Sequence, residues 1–399
     1  MSCPDMSTLH CVKIILINMQ IPMLNLSREY ECMKEDIDTA VQRCFVHQHW
    51  ILGKEVEEFE KAASHYLGST HCIGISSGTD ALVLSLRALA LKLKGKEFFD
   101  SSDEIITTPF TFIATSDAIL RAGATPVFVD IDPRTFNIDP AAIRSYLERS
   151  PAGQVVGIVP VHLYGQPCNM DAIMEVANTY KCFVLEDTAQ AFGARWRNQK
   201  VGTIGTMGAF SFFPSKNLGA CGDAGMIATD DKILAEYVRM LLQHGGKDKY
   251  NPEHIGYNAR LDTLQAAILL AKLPHVDVFN EKRRAVAKWY DATLQSVSGT
   301  EIPYQAEGAH HVFHQYTIKV NPDNRSQLCE RLLAHGISTN VYYPKPLHTM
   351  VVFGAGRSRV GGSLVHAEEA ATHVLNLPMG PFLTLEECTT VAQAITQEP

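Results

Sequence analysis

Apolar residues recur along the chain with two periods, and the points where one gives way to the other mark its elements. Over 26–67 the spacing is helical: Leu26-Ser-Arg-Glu-Tyr30 opens a helix, and Val56, Phe59, Ala63 and Tyr66 recur on one face before Gly68. Trp50-Ile-Leu-Gly-Lys54 interrupts this stretch. Cys72-Ile-Gly-Ile75 then reads as a short strand, and 81–90 as a strong helix. Further strands are expected at 103–107 and 125–130 around a helix at 114–122, which makes a βαβ unit. A nearly unbroken apolar strand at 155–163, a helix at 170–180 and a strand at 182–185 continue the alternation. Such alternation implies an α/β fold, a sheet with helices on both faces, whose ligands sit at the carboxyl ends of the strands. After a helix at 265–273 and the charged stretch Glu281-Lys-Arg-Arg284 the pattern changes. A strand at 314–320, a helix at 326–335 and turns rich in Pro and Gly indicate a small α+β domain, with 354–362 as a loop. The expected organisation is an N-terminal extension at 1–20, a large domain at 21–275 and a small domain at 276–399.

Composition narrows the class. A chain of 399 residues, 46% apolar and 20% charged, is that of an ordinary globular protein long enough for two domains. A formal net charge of -8 gives no reason to expect nucleic-acid or anionic-membrane partners. The ten cysteines are scattered, with no C-x-x-C pair and no zinc spacing, and read as reduced thiols of a cytoplasmic protein without a structural metal. An apolar patch from Ile14 to Leu24 is broken by Asn18, Gln20 and Pro22, so it reads as neither a signal sequence nor a membrane span.

Three places carry candidate chemistry. In Gly208-Ala-Phe-Ser-Phe-Phe-Pro-Ser-Lys-Asn-Leu-Gly219 the residues before Lys216 are small or aromatic and uncharged. Such surroundings desolvate an ammonium group and lower its pKa, as an amine needs in order to attack a carbonyl near neutral pH. A lysine at an ordinary strand-to-loop exit is the bland alternative. Next, Ser77, Gly78 and Thr79 join a strand to a helix N-terminus, whose free amides and dipole favour a phosphate. Finally, Glu186-Asp187-Thr-Ala-Gln190 follows a strand and puts the Asp187 carboxylate at the ligand edge of the sheet, unless it caps the next turn.

Taken in order, the chain resembles the pyridoxal-phosphate-dependent nucleotide-sugar aminotransferases of the DegT/DnrJ/EryC/StrS type, a branch of the aspartate-aminotransferase fold (PLP fold type I). The motifs are Ser76-Ser-Gly-Thr-Asp-Ala-Leu82, Thr108-Pro-Phe-Thr-Phe-Ile-Ala114, Pro160-Val-His-Leu-Tyr-Gly165, Glu186-Asp-Thr-Ala-Gln-Ala191, the lysine segment, and Gly256-Tyr-Asn-Ala-Arg260 followed by Gln265-Ala-Ala267. The resemblance implies pyridoxal 5'-phosphate as cofactor, held covalently by Lys216, which also moves the proton. It implies Asp187 at the pyridinium nitrogen, Gln190 at the phenolic oxygen and Phe112 stacked on the ring. Gly78, Thr79 and Ser211 would hold the phosphate. Asn258 is either a turn asparagine or reaches the phosphate of the neighbouring subunit, which would make the functional unit a homodimer. In the related sugar 3-dehydratases a histidine replaces the lysine, so Lys216 points to transamination with L-glutamate as donor.

The substrate is less legible. Arg260, His314, Tyr343 and His348 are candidate contacts, each with a structural role as its alternative. The resemblance favours a UDP-linked 3-keto sugar of the N-acetylglucosamine type used for bacterial lipopolysaccharide or surface glycans, with a dTDP-linked 3- or 4-keto-6-deoxy sugar as runner-up. A non-catalytic, cofactor-bound regulator is the alternative of another class. A nicotinamide dehydrogenase is disfavoured, because Gly202-Thr-Ile-Gly205 lacks the dinucleotide glycine spacing. One departure from the family pattern is a long connection at 91–102, whose Phe98-Phe99 pair is expected to pack at the surface, at a dimer contact or near the substrate entrance.

Overall fold

A computed structural model of the chain describes residues 20–246, 248 and 250–396; the extension expected at 1–20 lies outside them apart from Gln20. Its centre is an eight-stranded sheet ordered His71–Ile75, Gly225–Thr229, Met207–Ser211, Phe183–Asp187, Val155–Ile158, Glu104–Thr107, Thr125–Phe128 and Arg359–Val360. Gly225–Thr229 runs antiparallel to both its neighbours, while the remaining pairings are parallel.

The near-continuous apolar strands follow from burial on both faces. Leu185 and Ile105 point into a core built on the helix Gly78–Lys94, whereas their neighbours Val184 and Ile106 point into a second core with Ile143, Leu147, Ile173 and Val176. The helix Gly78–Lys94 is itself buried continuously from Ala81 to Leu91, so it sits inside the domain. It starts where Ser77 accepts the Asp80 N–H through its side chain, and it ends at Gly95 with φ 63°. The helices Leu26–His47 and Lys54–Leu67 replace the interrupted 26–67 pattern. The first begins at Asn25, which caps Arg28 N–H, and the second ends at Gly68 with φ 80°.

Two expectations change. The strand expected over 155–163 stops at Ile158, because Pro160 has no N–H for a ladder and the chain then turns through Leu163–Gly165 with Tyr164 at φ 59°. The loop expected over 354–362 contains Arg359–Val360, which pairs with Val127–Phe128 at the sheet edge. Gly361 N–H extends this pairing to Phe128 O at 2.7 Å, and Arg359 Nε meets the buried Glu104 at 2.8 Å. A smaller antiparallel sheet of Thr300–Glu301, Tyr316–Val320 and Val374–Leu377 has its own core with the helices Val276–Leu294, Pro322–Ala334 and Leu385–Thr396. Ile21 belongs to that core, bridging to Ile337.

Candidate active site

Because the strands ending at Ile75, Thr107, Ile158, Asp187 and Ser211 run in one direction, their carboxyl ends share one edge of the sheet. Gly225 joins them as the first residue of the antiparallel strand; a Cβ there would lie 2.4 Å from the Ser77 backbone. A cavity of about 730 Å³ opens at this edge, and its wall includes Ser77, Gly78, Thr79, Phe112, Asp187, Gln190, Ser211, Lys216, His314 and Tyr343. Residues separated by up to 266 positions in sequence thus converge on one volume.

Lys216 lies on a loop folded back on itself. Its N–H bonds Phe213 O at 2.8 Å, and a Cβ on Gly219 would approach Pro214 O to 2.3 Å. Asn217 anchors the loop: its Nδ2 donates to Asn280 Oδ1 at 2.7 Å and to Val312 O at 3.1 Å, and its Oδ1 pairs with His314 Nδ1 at 3.0 Å. Burial lowers the Lys216 pKa to about 8, and the Asp187 carboxylate works against that fall. A neutral fraction of the amine is therefore present near physiological pH, as covalent chemistry at a carbonyl demands.

Asp187 is buried at the end of its strand, where burial raises its pKa. The Thr115 hydroxyl at 2.8 Å and Ala189 N–H at 3.2 Å oppose the rise by bonding the carboxylate. Its neighbour Glu186 faces the other side of the sheet, as strand alternation requires. There it accepts the N–H groups of Gly202, Ile204 and Gly205 at 2.7 to 2.8 Å and pairs with His162 Nε2 at 3.0 Å. Cys168 N–H donates to His162 Nδ1, leaving Nε2 as the nitrogen that donates to Glu186. Consecutive acids thus divide their work: Glu186 ties the turn at 202–205 beneath the sheet, and Asp187 serves the cavity.

At the far end of the cavity, Gly78 and Ser211 meet so closely that a Cβ on Gly78 would sit 2.6 Å from Ser211 Cβ. Ser77 is occupied by its cap on Asp80 N–H at 3.1 Å, which leaves Gly78, Thr79 and Ser211 facing the space at the helix start. Gln190 accepts Tyr164 N–H at 2.7 Å and donates to Tyr343 Oη at 3.0 Å. Phe112, which its apolar surroundings would assign to a core, is 55% exposed at the cavity, its ring 6.3 Å from that of Tyr343.

The four substrate candidates separate. Tyr343 and His314 line the cavity, but His314 is buried, its pKa pushed well down by that burial and by Lys216, and its Nδ1 is spent on Asn217. It braces the lysine loop as a neutral ring. His348 does not line the cavity: it pairs with Glu368 at 3.0 Å, and Leu347 and Met350 form that wall instead. Arg260 and Asn258 are also absent from the wall; Arg260 bridges to Ile75 just before the phosphate turn, and Asn258 is exposed. Sequence reasoning overlooked Asn217, Thr115 and the pair of Glu186 with His162. The polar side chain adjoining Lys216 and the run of two acids in an apolar strand were the available signals.

The profile of the DegT/DnrJ/EryC1/StrS aminotransferase family matches residues 31–396. The chain belongs to this family. A "pleiotropic regulatory protein" of Geobacillus stearothermophilus is 44% identical over 95% of this chain and 98% of its own. The UDP-N-acetyl-3-dehydro-alpha-D-glucosamine 3-aminotransferase of Acidithiobacillus ferrooxidans is 40% identical, with the same coverage. The dTDP-3-amino-3,4,6-trideoxy-alpha-D-glucose transaminase of Streptomyces venezuelae is 37% identical over 95% of this chain and 96% of its own. Among solved structures, Bacillus subtilis NtdA with bound cofactor PMP superposes with a TM-score of 0.84 and 34% identity over 94% of this chain and 84% of that one. The protein is a pyridoxal-phosphate-dependent sugar aminotransferase of fold type I.

The cavity suits that cofactor. A Cβ would fill the cradle at Gly78, burial weakens the hold of the Lys216 amine on its proton, and a buried carboxylate, Asp187, faces the same space.

Proposed function

We propose that this aminotransferase moves an amino group from L-glutamate to the keto carbon of a UDP-linked 3-keto sugar of the N-acetylglucosamine type, for bacterial lipopolysaccharide or surface glycan synthesis, acting as a cytoplasmic homodimer. The observation that carries the catalytic reading is the convergence of Lys216, Asp187 and the Gly78–Ser211 cradle on one cavity. A purely regulatory, non-catalytic role would not require an amine with a lowered pKa beside a buried carboxylate. The 40% identity to the Acidithiobacillus ferrooxidans enzyme supports the UDP sugar, and the Streptomyces venezuelae relative supports the dTDP-linked alternative.

In this reading Gly78, Thr79 and Ser211 would hold the phosphate, and Phe112 and Gln190 would hold the ring. Pyridoxal phosphate, when bound, supplies the electron sink for negative charge developing at the substrate carbon. Asp187 would keep a proton on the ring nitrogen, a task suited to a carboxylate whose two oxygens are already fixed by Thr115 and Ala189. With the cofactor bound, Lys216 Nζ would hold it covalently and, when released from it, would be the base that moves a proton at the substrate carbon. Asn217, held by His314 and Asn280, keeps Nζ aimed at that path. Asn258, exposed and off its own cavity, would reach the phosphate of a neighbouring subunit in this reading. The eight cysteines among the described residues are unpaired, as suits a reducing compartment.

The test supplies purified holoenzyme with L-glutamate and compares UDP- with dTDP-linked 3-keto sugars. Ping-pong kinetics with a UDP preference is expected. A clear dTDP preference overturns the substrate assignment, and no amino transfer from glutamate to any keto sugar overturns the function.

A further inference from the structure

We propose that the long connection between the helix Gly78–Lys94 and the strand Glu104–Thr107 is a strap that works through Arg87 to hold residues 255–260 against the phosphate turn, so that Arg87 and Glu97 are positioning residues for cofactor retention. This rests on reading Gly78, Thr79 and Ser211 as the phosphate cradle.

The Arg87 side chain is fully buried, and each of its nitrogens is bonded. Nε donates to Glu97 O, Nη1 to Tyr257 Oη at 2.7 Å, and Nη2 to Glu97 Oε2 at 2.8 Å and Ile255 O at 3.0 Å. The Phe98 ring covers the guanidinium with its centroid 3.8 Å away, and His254 Nδ1 meets the second Glu97 oxygen at 2.7 Å. One cation therefore ties the strap to the segment His254–Tyr257. A buried cation that loses one such partner leaves charge and donors uncompensated, which makes the arrangement close to all-or-none.

Both ends of this clamp lead to the site. The strap is pinned to the domain by Phe99, whose N–H bonds Ala122 O at 2.9 Å and whose ring stacks on Phe183. On the other side, Tyr257 N–H bonds the O of Leu241, the last residue of the helix Lys232–Leu241, at 2.7 Å, and two residues later Ala259 O accepts the N–H of Ser76 at 3.2 Å. Arg260 then bridges to Ile75. Arg87 lies nine positions after Gly78 on one helix, roughly 13.5 Å along its axis. The helix that presents the cradle is thus locked to the segment that supports the residue preceding it, and Arg87 with Glu97 closes that circuit.

The experiment uses full-length holoenzyme and reads the dissociation constant of pyridoxal 5'-phosphate by absorbance titration of resolved protein, together with Tm. Glu97→Ala and Arg87→Met are each expected to weaken cofactor binding about tenfold or more, and Arg87→Lys, which keeps the charge but not the fork, to fall between. Ser211→Ala is the cradle control. If Ser211→Ala weakens binding while Glu97→Ala leaves it within twofold of the parent, the strap inference alone is overturned, and a lowered Tm with unchanged affinity counts the same way. If Ser211→Ala has no effect, the cradle reading falls and takes the inference with it. Glu97 is a third exposed on its side chain, so its variant decides the matter should Arg87→Met fail to fold.

Discussion

Replacing Gly78 by alanine should weaken cofactor binding, because the added methyl group collides with the wall of the phosphate cradle. Gly78 is the first residue of a helix, where alanine's better propensity offsets at most about 0.5–1 kcal/mol of the strain the substitution brings. The new methyl group, however, would stand 2.6 Å from Ser211 Cβ and 3.1 Å from Ser211 Oγ. Carbon atoms pack at about 3.5–4.0 Å, so either the helix start or the strand end must retreat by about 1 Å. Overpacking of this kind costs about 1–3 kcal/mol, and here the displacement falls on the groups that hold the phosphate. That corresponds to pyridoxal 5'-phosphate binding weakened about 5- to 150-fold. The assay is cofactor titration of resolved enzyme beside thermal melting of the cofactor-free form. The double variant Gly78→Ala with Ser211→Gly removes the colliding carbon and should recover part of the affinity, although it forfeits the Ser211 hydroxyl. Unchanged affinity in Gly78→Ala would refute the placement of the phosphate at this contact.

Other expectations follow from the same geometry. With the Lys216 pKa at about 8, roughly a tenth of the amine is neutral at pH 7 and half at pH 8, so capture of pyridoxal 5'-phosphate by resolved enzyme should speed up about fivefold across that interval and level off above pH 9, as stopped-flow absorbance would show. Asp187→Asn should lower kcat by roughly 10²–10³ and, since Asp187 holds the Lys216 pKa up, move the midpoint of that capture profile below 8. His348→Ala should leave kcat and KM within about twofold, because His348 is engaged with Glu368 off the cavity, whereas Tyr343→Phe should change steady-state kinetics by unpairing Gln190.

Where pattern and backbone chemistry agree, the sequence was a sound guide. The helix expected over 170–180 is Met170–Tyr180, started by the Asn169 cap, and the alternation of strands and helices led to the mostly parallel sheet and its ligand edge. Lys216, Asp187, Gly78 and Thr79 stand out by their local chemistry, Ser211, Gln190 and Phe112 only through the family resemblance, and all of them line one cavity because parallel strands end on one side. Local motifs could not say which way a side chain turns at a junction. His348 and His314 both looked like substrate contacts, yet one pairs with Glu368 and the other braces Asn217 across 97 positions of sequence. Nor could periodicity anticipate that Arg359–Val360 extends the large sheet, since two residues have no measurable period. The role of Glu97 was equally hidden, because it depends on Arg87 and His254 arriving from other parts of the chain.

Reduction of the holoenzyme with borohydride, followed by proteolysis and mass spectrometry, tests the central claim most directly. A phosphopyridoxyl group should be fixed on Lys216 and be lost, together with amino transfer, in Lys216→Ala. An unmodified Lys216, or the group fixed on another lysine, would contradict it.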